Sequence, residues 1–403
     1  MIIPKHKTYQ NYLLAILVIS GALKVALDYY DYPFDITFQI LSLIFIDIIY
    51  CCLIDSKRPR INKNDLVFIL LILLFYCSAI FSLLYTSSVS FAYKKVLLMT
   101  IPLISLLYVK LIKKLDLIVL YKLLHYVILP AAVWFILFKY LLWNNSNLLS
   151  FLIDKPKFSP LRQEYLNFGV LIGLYSLLSI EFSKKPLVSI LISVLLILGI
   201  ASRGALIFLV LTYLIIYYSR ITNFIFNLKV KKHIIKSLIL VLIPVFILGL
   251  FFIEAINKAL YYGLARMSSL INIESDTSAL GRLDQYLYVI KEGITLKGLF
   301  FGHGIGSFGM DYVGIDESAY PHNIFLEAWY EMGFISMCIL LLFFLLPFML
   351  NKPILYKSLA FFALLNAMKS LSFAYDRNLF ILFGILIFHG YKNELKSAKQ
   401  IES

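Results

Sequence analysis

Long apolar runs alternate with short polar gaps along the whole chain. A helix needs about 20 mostly apolar residues to cross a bilayer core of about 30 Å. Twelve stretches meet or approach that demand, near 11–27, 36–54, 66–85, 95–112, 118–142, 164–181, 186–201, 204–218, 233–253, 324–350, 354–372 and 378–391. None shows the period-two alternation of an outer-membrane barrel strand. The pattern predicts an all-α polytopic membrane protein of about twelve transmembrane helices, with 1–403 as a single membrane domain.

Two places depart from the short-loop rhythm. Residues 254–323 form one long connection between the ninth and tenth spans, read as a subdomain of its own. Connections longer than about 15 residues are usually functional or disordered. Inside it, Leu283, Tyr286, Leu287 and Ile290 recur at i, i+3, i+4 and i+7. That is an amphipathic helix, of the kind that lies on a membrane surface. The second departure is the hairpin 186–218, interrupted only by Ser202-Arg203-Gly204. Two helices of about 15 residues reach about 22 Å each, so the turn is expected to sit sunk toward the bilayer. An arginine there is either a functional group or a snorkelling anchor.

Composition narrows the class. Apolar residues are 61% and charged residues 15% of the 403. The averages for soluble domains are about 45–50% and about 25%. Soluble multidomain, collagen-like and disordered chains are excluded. Cys51, Cys52, Cys77 and Cys338 all fall in apolar runs without metal-ligand spacing and read as small buried hydrophobes.

The net charge of +14 sorts by location. Lys57, Arg58 and Arg60, Lys110/Lys113/Lys114, Lys184-Lys185, the 219–236 stretch, Lys352/Lys357 and the tail from Lys392 form one alternating set of loops. By the positive-inside rule these face the cytoplasm, as do both termini, and 254–323 faces outward. No basic loop carries the interleaved aromatics that stack on nucleic acid, so no nucleic-acid partner is expected. The N-terminus reads as a first span and not as a cleaved leader.

Candidate chemistry is concentrated in 281–333. Gly302-His303-Gly304-Ile305-Gly306 is either a tight structural turn or a loop whose amides approach an anion. Without GK[ST] it is no nucleotide motif. Pro321-His322-Asn323 is expected to open a helix, proline favouring the first turn. There the helix dipole disfavours imidazolium, which suits a general base; a hydrogen-bonded structural histidine reads the same way. Asn323, Glu327 and Glu331 continue at i, i+4 and i+8, a polar stripe that needs partners or a wet cavity. Arg282 opens the amphipathic helix. With Arg162 and Arg203, on the same outer face by span count, it would suit a pyrophosphate, which guanidinium grips in a bidentate fork. Asp311, Asp316 and Glu317 lack established ligand spacing, and neither metal nor cofactor is expected.

The succession SRG in a short hairpin, GRLDQY, GHGIGSF and YPHNIFLEAWYEMGF at the head of a late span resembles the O-antigen ligase/polymerase family. These are bacterial polysaccharide enzymes with a C-type glycosyltransferase-like membrane fold. The resemblance implies that His322 activates the acceptor hydroxyl and that Arg203 and Arg282 hold undecaprenyl pyrophosphate. Arg162, Asn323, Glu327, Gly302 and Gly304 would line the substrate side. It implies an inner-membrane enzyme with a periplasmic site. Its partners would be an undecaprenyl-pyrophosphate-linked oligosaccharide, membrane lipids and a chain-length regulator. Five basic against eight acidic residues make 254–323 mildly acidic. This favours a polymerase, adding lipid-linked repeat units, over a ligase docking phosphorylated lipid A core. A flippase is the remaining alternative, although no internal repeat supports one.

Overall fold

A computed structural model describes residues 3–29, 35–53, 62–137, 165–217 and 277–389. Every regular element among them is helical. Two compact units emerge, the division falling within the second helix. The expected span 233–253, residues 254–276 of the long connection and Arg162 lie outside the described residues.

The first unit holds α1 (Ile3–Tyr29), the start of α2 (Ile36–Leu53), and α5 (Leu117–Leu123), a π turn (Leu124–Ile128) and α6 (Leu129–Leu137) in one run. It also holds α7 (Tyr165–Phe182), α8 (Pro186–Ile200) and α9 (Arg203–Ile216). The second unit holds α3 (Lys63–Ser82), α4 (Phe91–Leu111), α10 (Thr277–Gly293), α11 (Leu296–Phe300), α12 (Ile324–Leu345), α13 (Ile354–Ser370) and α14 (Arg377–Phe388). Each expected span except 233–253 overlaps a described helix. Among the described residues, six stretches are long and apolar enough to cross a membrane: Ile36–Leu53, Lys63–Ser82, Phe91–Leu111, Leu117–Ile136, Tyr165–Phe182 and Ile324–Met349.

These helices mark a membrane protein by what they leave outside. Phe38 is 72% exposed, Ile46 61% and Leu97 69%. A soluble surface avoids such continuous apolar faces, whereas hydrocarbon accepts them. Cys52 and Cys77 share those outward faces and are exposed, correcting the expectation that the cysteines are buried. An apolar run in a membrane helix has a lipid side as well as a protein side, and sequence alone does not tell them apart.

The hairpin of the first unit forms as expected, α8 and α9 being 15 and 14 residues long. Ala201 adopts a left-handed φ of 64°. Its N–H bonds the Leu198 carbonyl and the Ser202 N–H that of Ile197, a Schellman closure usually built on glycine. Ser202 packs onto α7 so closely that a Cβ at Gly169 would come 2.3 Å from its Oγ.

In the second unit, α12 packs on α3, and α4 on α14. Helix α14 is buried almost throughout. Helix α12 is broken at Gly333 (φ 86°, ψ 166°).

Candidate active site

Helix α12 begins three residues after Pro321, which its motif placed in the first turn. Asn323, extended at φ −147°, is the cap: its Oδ1 accepts from the amides of Phe325 (3.0 Å) and Leu326 (3.2 Å). Pro321 therefore precedes the helix and does not occupy its first turn. Between them His322 takes φ 54°, in the left-handed region. That conformation is strained for a residue with a Cβ, although histidine is enriched there.

The His322 ring lies 4.8 Å from that of Tyr320, at 67°. Its Nδ1 is buried with no hydrogen-bond partner. Burial and the nearby Arg282 charge lower its pKa below 6.5, against a backbone hydrogen bond with Ser370 that pulls it up. Only an acceptor favours the protonated ring, so this contact is with the Ser370 carbonyl at the end of α13. A proton on Nε2, toward Ser370, would leave the lone pair on Nδ1.

Arg282 lies in the second turn of α10, which starts at Thr277, and does not open that helix. Burial raises the pKa of Tyr286 and Tyr320 and lowers that of His322, and the Arg282 charge pulls all three down. Arg282 is thus near enough to His322 for its charge to be felt at the imidazole. Arg203 is the first residue of α9, in the first unit.

The polar stripe of α12 has found partners. Lys95 of α4, fully buried, places its Nζ 2.6 Å from Glu327 Oε1 and 2.7 and 2.8 Å from the Glu331 oxygens. Glu327 also accepts from Ser372 Oγ (2.6 Å) and the Phe373 amide (3.1 Å). Both of its oxygens are therefore engaged inside the protein. Unpaired, these charges would be very costly to bury; together they clamp α4, α12 and the 371–376 turn.

The glycine loop depends on the same helix. The break at Gly333 frees the Tyr330 and Glu331 carbonyls from the helical ladder. The amides of His303 and Gly304 take them, at 2.8 Å each. Gly302 donates to the Lys297 carbonyl and Ile305 to Ser82 Oγ. A Cβ at Gly304, where φ is 101°, would fall 2.3 Å from Thr86 Cα. Gly302 and Gly304 accordingly serve as packing points whose amides are already bonded. His303 stacks on Tyr330 at 4.5 Å, its Nε2 buried without a partner.

The three acidic residues beyond this loop do not converge. Asp311 accepts from Tyr330 and Ser87. Asp316 takes the Ser88 and Ser90 hydroxyls and the Ser90 amide, capping the start of α4. These bonds hold its carboxyl at a pKa of about 2. Among the described residues no three His, Cys, Asp or Glu side chains form a metal-like group.

Helix α10 packs inward through Val289, which is fully buried, and through Gly293 against Trp329. Leu283, Leu287 and Ile290 face outward.

Residues 188–341 match the sequence profile described as O-antigen ligase. The stretch takes in nearly all of the SRG hairpin, α10, the glycine loop and most of α12. The match supports assignment to the O-antigen ligase/polymerase family, whose members are glycosyltransferase-like or ligase enzymes. No curated protein matches the chain. Lys95, Ser372 and Phe373 lie beyond the matched stretch, so neither the motif nor the family pointed to them. One signal was present: Lys95 falls in helical step with the buried Phe91 and Met99, unlike its exposed neighbour Lys94.

Proposed function

We propose that the protein is a surface-polysaccharide polymerase. It joins undecaprenyl-pyrophosphate-linked oligosaccharide units on the periplasmic face of the inner membrane. The observation carrying this reading is the unpartnered, neutral-leaning Nδ1 of His322 next to Arg282, within a stretch matching the family.

In this mechanism the acceptor hydroxyl oxygen attacks the anomeric carbon of the donor while His322 Nδ1 takes its proton. The new glycosidic C–O bond forms as the bond to pyrophosphate breaks, and the electron pair leaves on the pyrophosphate oxygen. A single in-line displacement inverts the anomeric centre. Arg282 would neutralise the charge gathering on the leaving group, the role that the family resemblance also gives to Arg203 and, more loosely, Arg162. General base catalysis contributes about 10²–10⁴-fold. Electrostatic stabilisation in a water-poor site supplies much of the remainder. The donor is already activated, so no nucleotide is consumed. The outward apolar face of α10 would rest on the membrane surface, keeping the site at the height of the lipid pyrophosphate.

A ligase that transfers finished polymer to lipid A core is the second reading, favoured by the description of the matching family. Gene deletion followed by a gel of surface polysaccharide separates the two. Core bearing a single repeat unit is the expected result and means that polymerisation was lost. Bare core with accumulated lipid-linked polymer would instead identify a ligase.

A further inference from the structure

Tyr375 stands on the turn between α13 and α14, and that turn is held from several sides. Glu327 takes the Ser372 hydroxyl and the Phe373 amide. The Tyr375 amide returns to the Ser372 carbonyl, and Asp376 caps α14 through the Leu379 amide. Despite this anchoring the Tyr375 side chain is 37% exposed. Its hydroxyl lies 3.0 Å from that of Ser318, which is exposed too. Tyr320 follows, its ring 6.5 Å from Tyr375 at 46° and 4.8 Å from His322. Three rings thus run in succession from an exposed edge to the imidazole.

We propose that Tyr375 and Tyr320 form a carbohydrate-binding platform that seats a sugar ring of the acceptor beside His322. The proposal rests on the base assignment above and names what that base serves. A pyranose has an apolar face of C–H groups with slightly positive hydrogens, and a rim of hydroxyls. An aromatic face carries the opposite quadrupole and suits the C–H face. The Ser318 and Tyr375 hydroxyls offer donors and acceptors to the rim. A tyrosine on a pinned turn has little freedom left to lose, which favours binding. Tyrosines are also common where membrane helices meet water. A purely interfacial role, however, would be indifferent to acceptor concentration.

The test uses the full-length protein in membranes from cells lacking the chromosomal copy. Chain extension is followed against rising concentrations of the lipid-linked single repeat unit isolated from those cells. Tyr375→Ala and Tyr375→Ile are expected to raise KM about tenfold, with kcat falling less than about threefold. Tyr375→Phe, which keeps the ring and loses the Ser318 bond, is expected to raise KM about threefold. A kcat loss at unchanged KM would overturn the proposal, as would equal behaviour of Tyr375→Ile and Tyr375→Phe. His322→Ala is run in parallel. If it is inactive while Tyr375→Ala keeps its KM, the platform alone is wrong. If it retains full activity, the base assignment fails and the platform with it.

Discussion

Within two turns of α12 the chain treats polar groups in opposite ways. Glu327 and Glu331 are fully buried and tied to Lys95, with Ser372 and Phe373 completing the bonds. One turn earlier, His322 has an unpaired Nδ1, a strained backbone and a positive neighbour that disfavours its protonation. The first arrangement has the character of structure and the second of function. Buried polar groups left unsatisfied cost free energy, and proteins retain such features mainly where chemistry uses them.

The sharpest way to break that contrast is to exchange the consequences. Lys95→Met leaves two carboxylates in the interior and is expected to destabilise by about 3–5 kcal/mol, measured by thermal unfolding in detergent. Glu331→Gln should cost less, because the Lys95–Glu327 pair survives. If Lys95→Met proved as stable as the parent, the clamp would not be structural.

Arg282 sharpens the other side. Arg282→Ala is expected to slow chain extension by about 10²-fold, by analogy with removing one donor from an oxyanion site. It should also change the shape of the pH profile. Histidine in an unfolded chain binds a proton near 6.5, whereas folded His322 binds one only at lower pH. Its contribution to stability is therefore complete above 6.5 and declines as pH falls from 6.5 through the folded value. Likewise the base stays neutral somewhat below 6.5, and activity should persist there. Removing Arg282 should move the acid limb of the rate profile upward, and an unmoved limb would separate Arg282 from His322.

Two smaller effects follow from backbone and caps. His322→Gly relieves the left-handed strain and should stabilise by about 1 kcal/mol while abolishing activity. Asp316→Ala removes the bonds that cap α4 and should cost about 1 kcal/mol, as N-caps generally do. The low pKa of Asp316 makes its contribution fade as pH falls from 3.8 toward about 2. Equal stability of the parent and Asp316→Ala at neutral pH would remove the cap from the account.

What the sequence made legible follows the same division. Apolar runs revealed the helices because crossing a bilayer demands length and apolarity together. The hairpin turn at Ser202 could be read from motifs, and so could the candidates His322 and Arg282. The clamp could not be seen whole. The stripe of Glu327 and Glu331 called for a cation, but Lys95 lies far away in the chain, beside Lys94, where a lysine pair resembles a topology signal. The glycine loop was ambiguous because a turn that cradles an anion and a turn that packs on a broken helix need the same residues. The break at Gly333 decides where its amides go. His303 shows why a buried, unpaired histidine is not enough by itself: it shares those traits with His322, but it is stacked flat on Tyr330.

In the proposed mechanism His322 acts as the base and does not serve the fold. The most direct measurement is a gel of surface polysaccharide from cells whose only copy carries His322→Ala, with the protein quantified in the same membranes. A normal amount of inserted protein is expected, with a ladder reduced to core bearing a single repeat unit. A full-length ladder at normal protein level would contradict it.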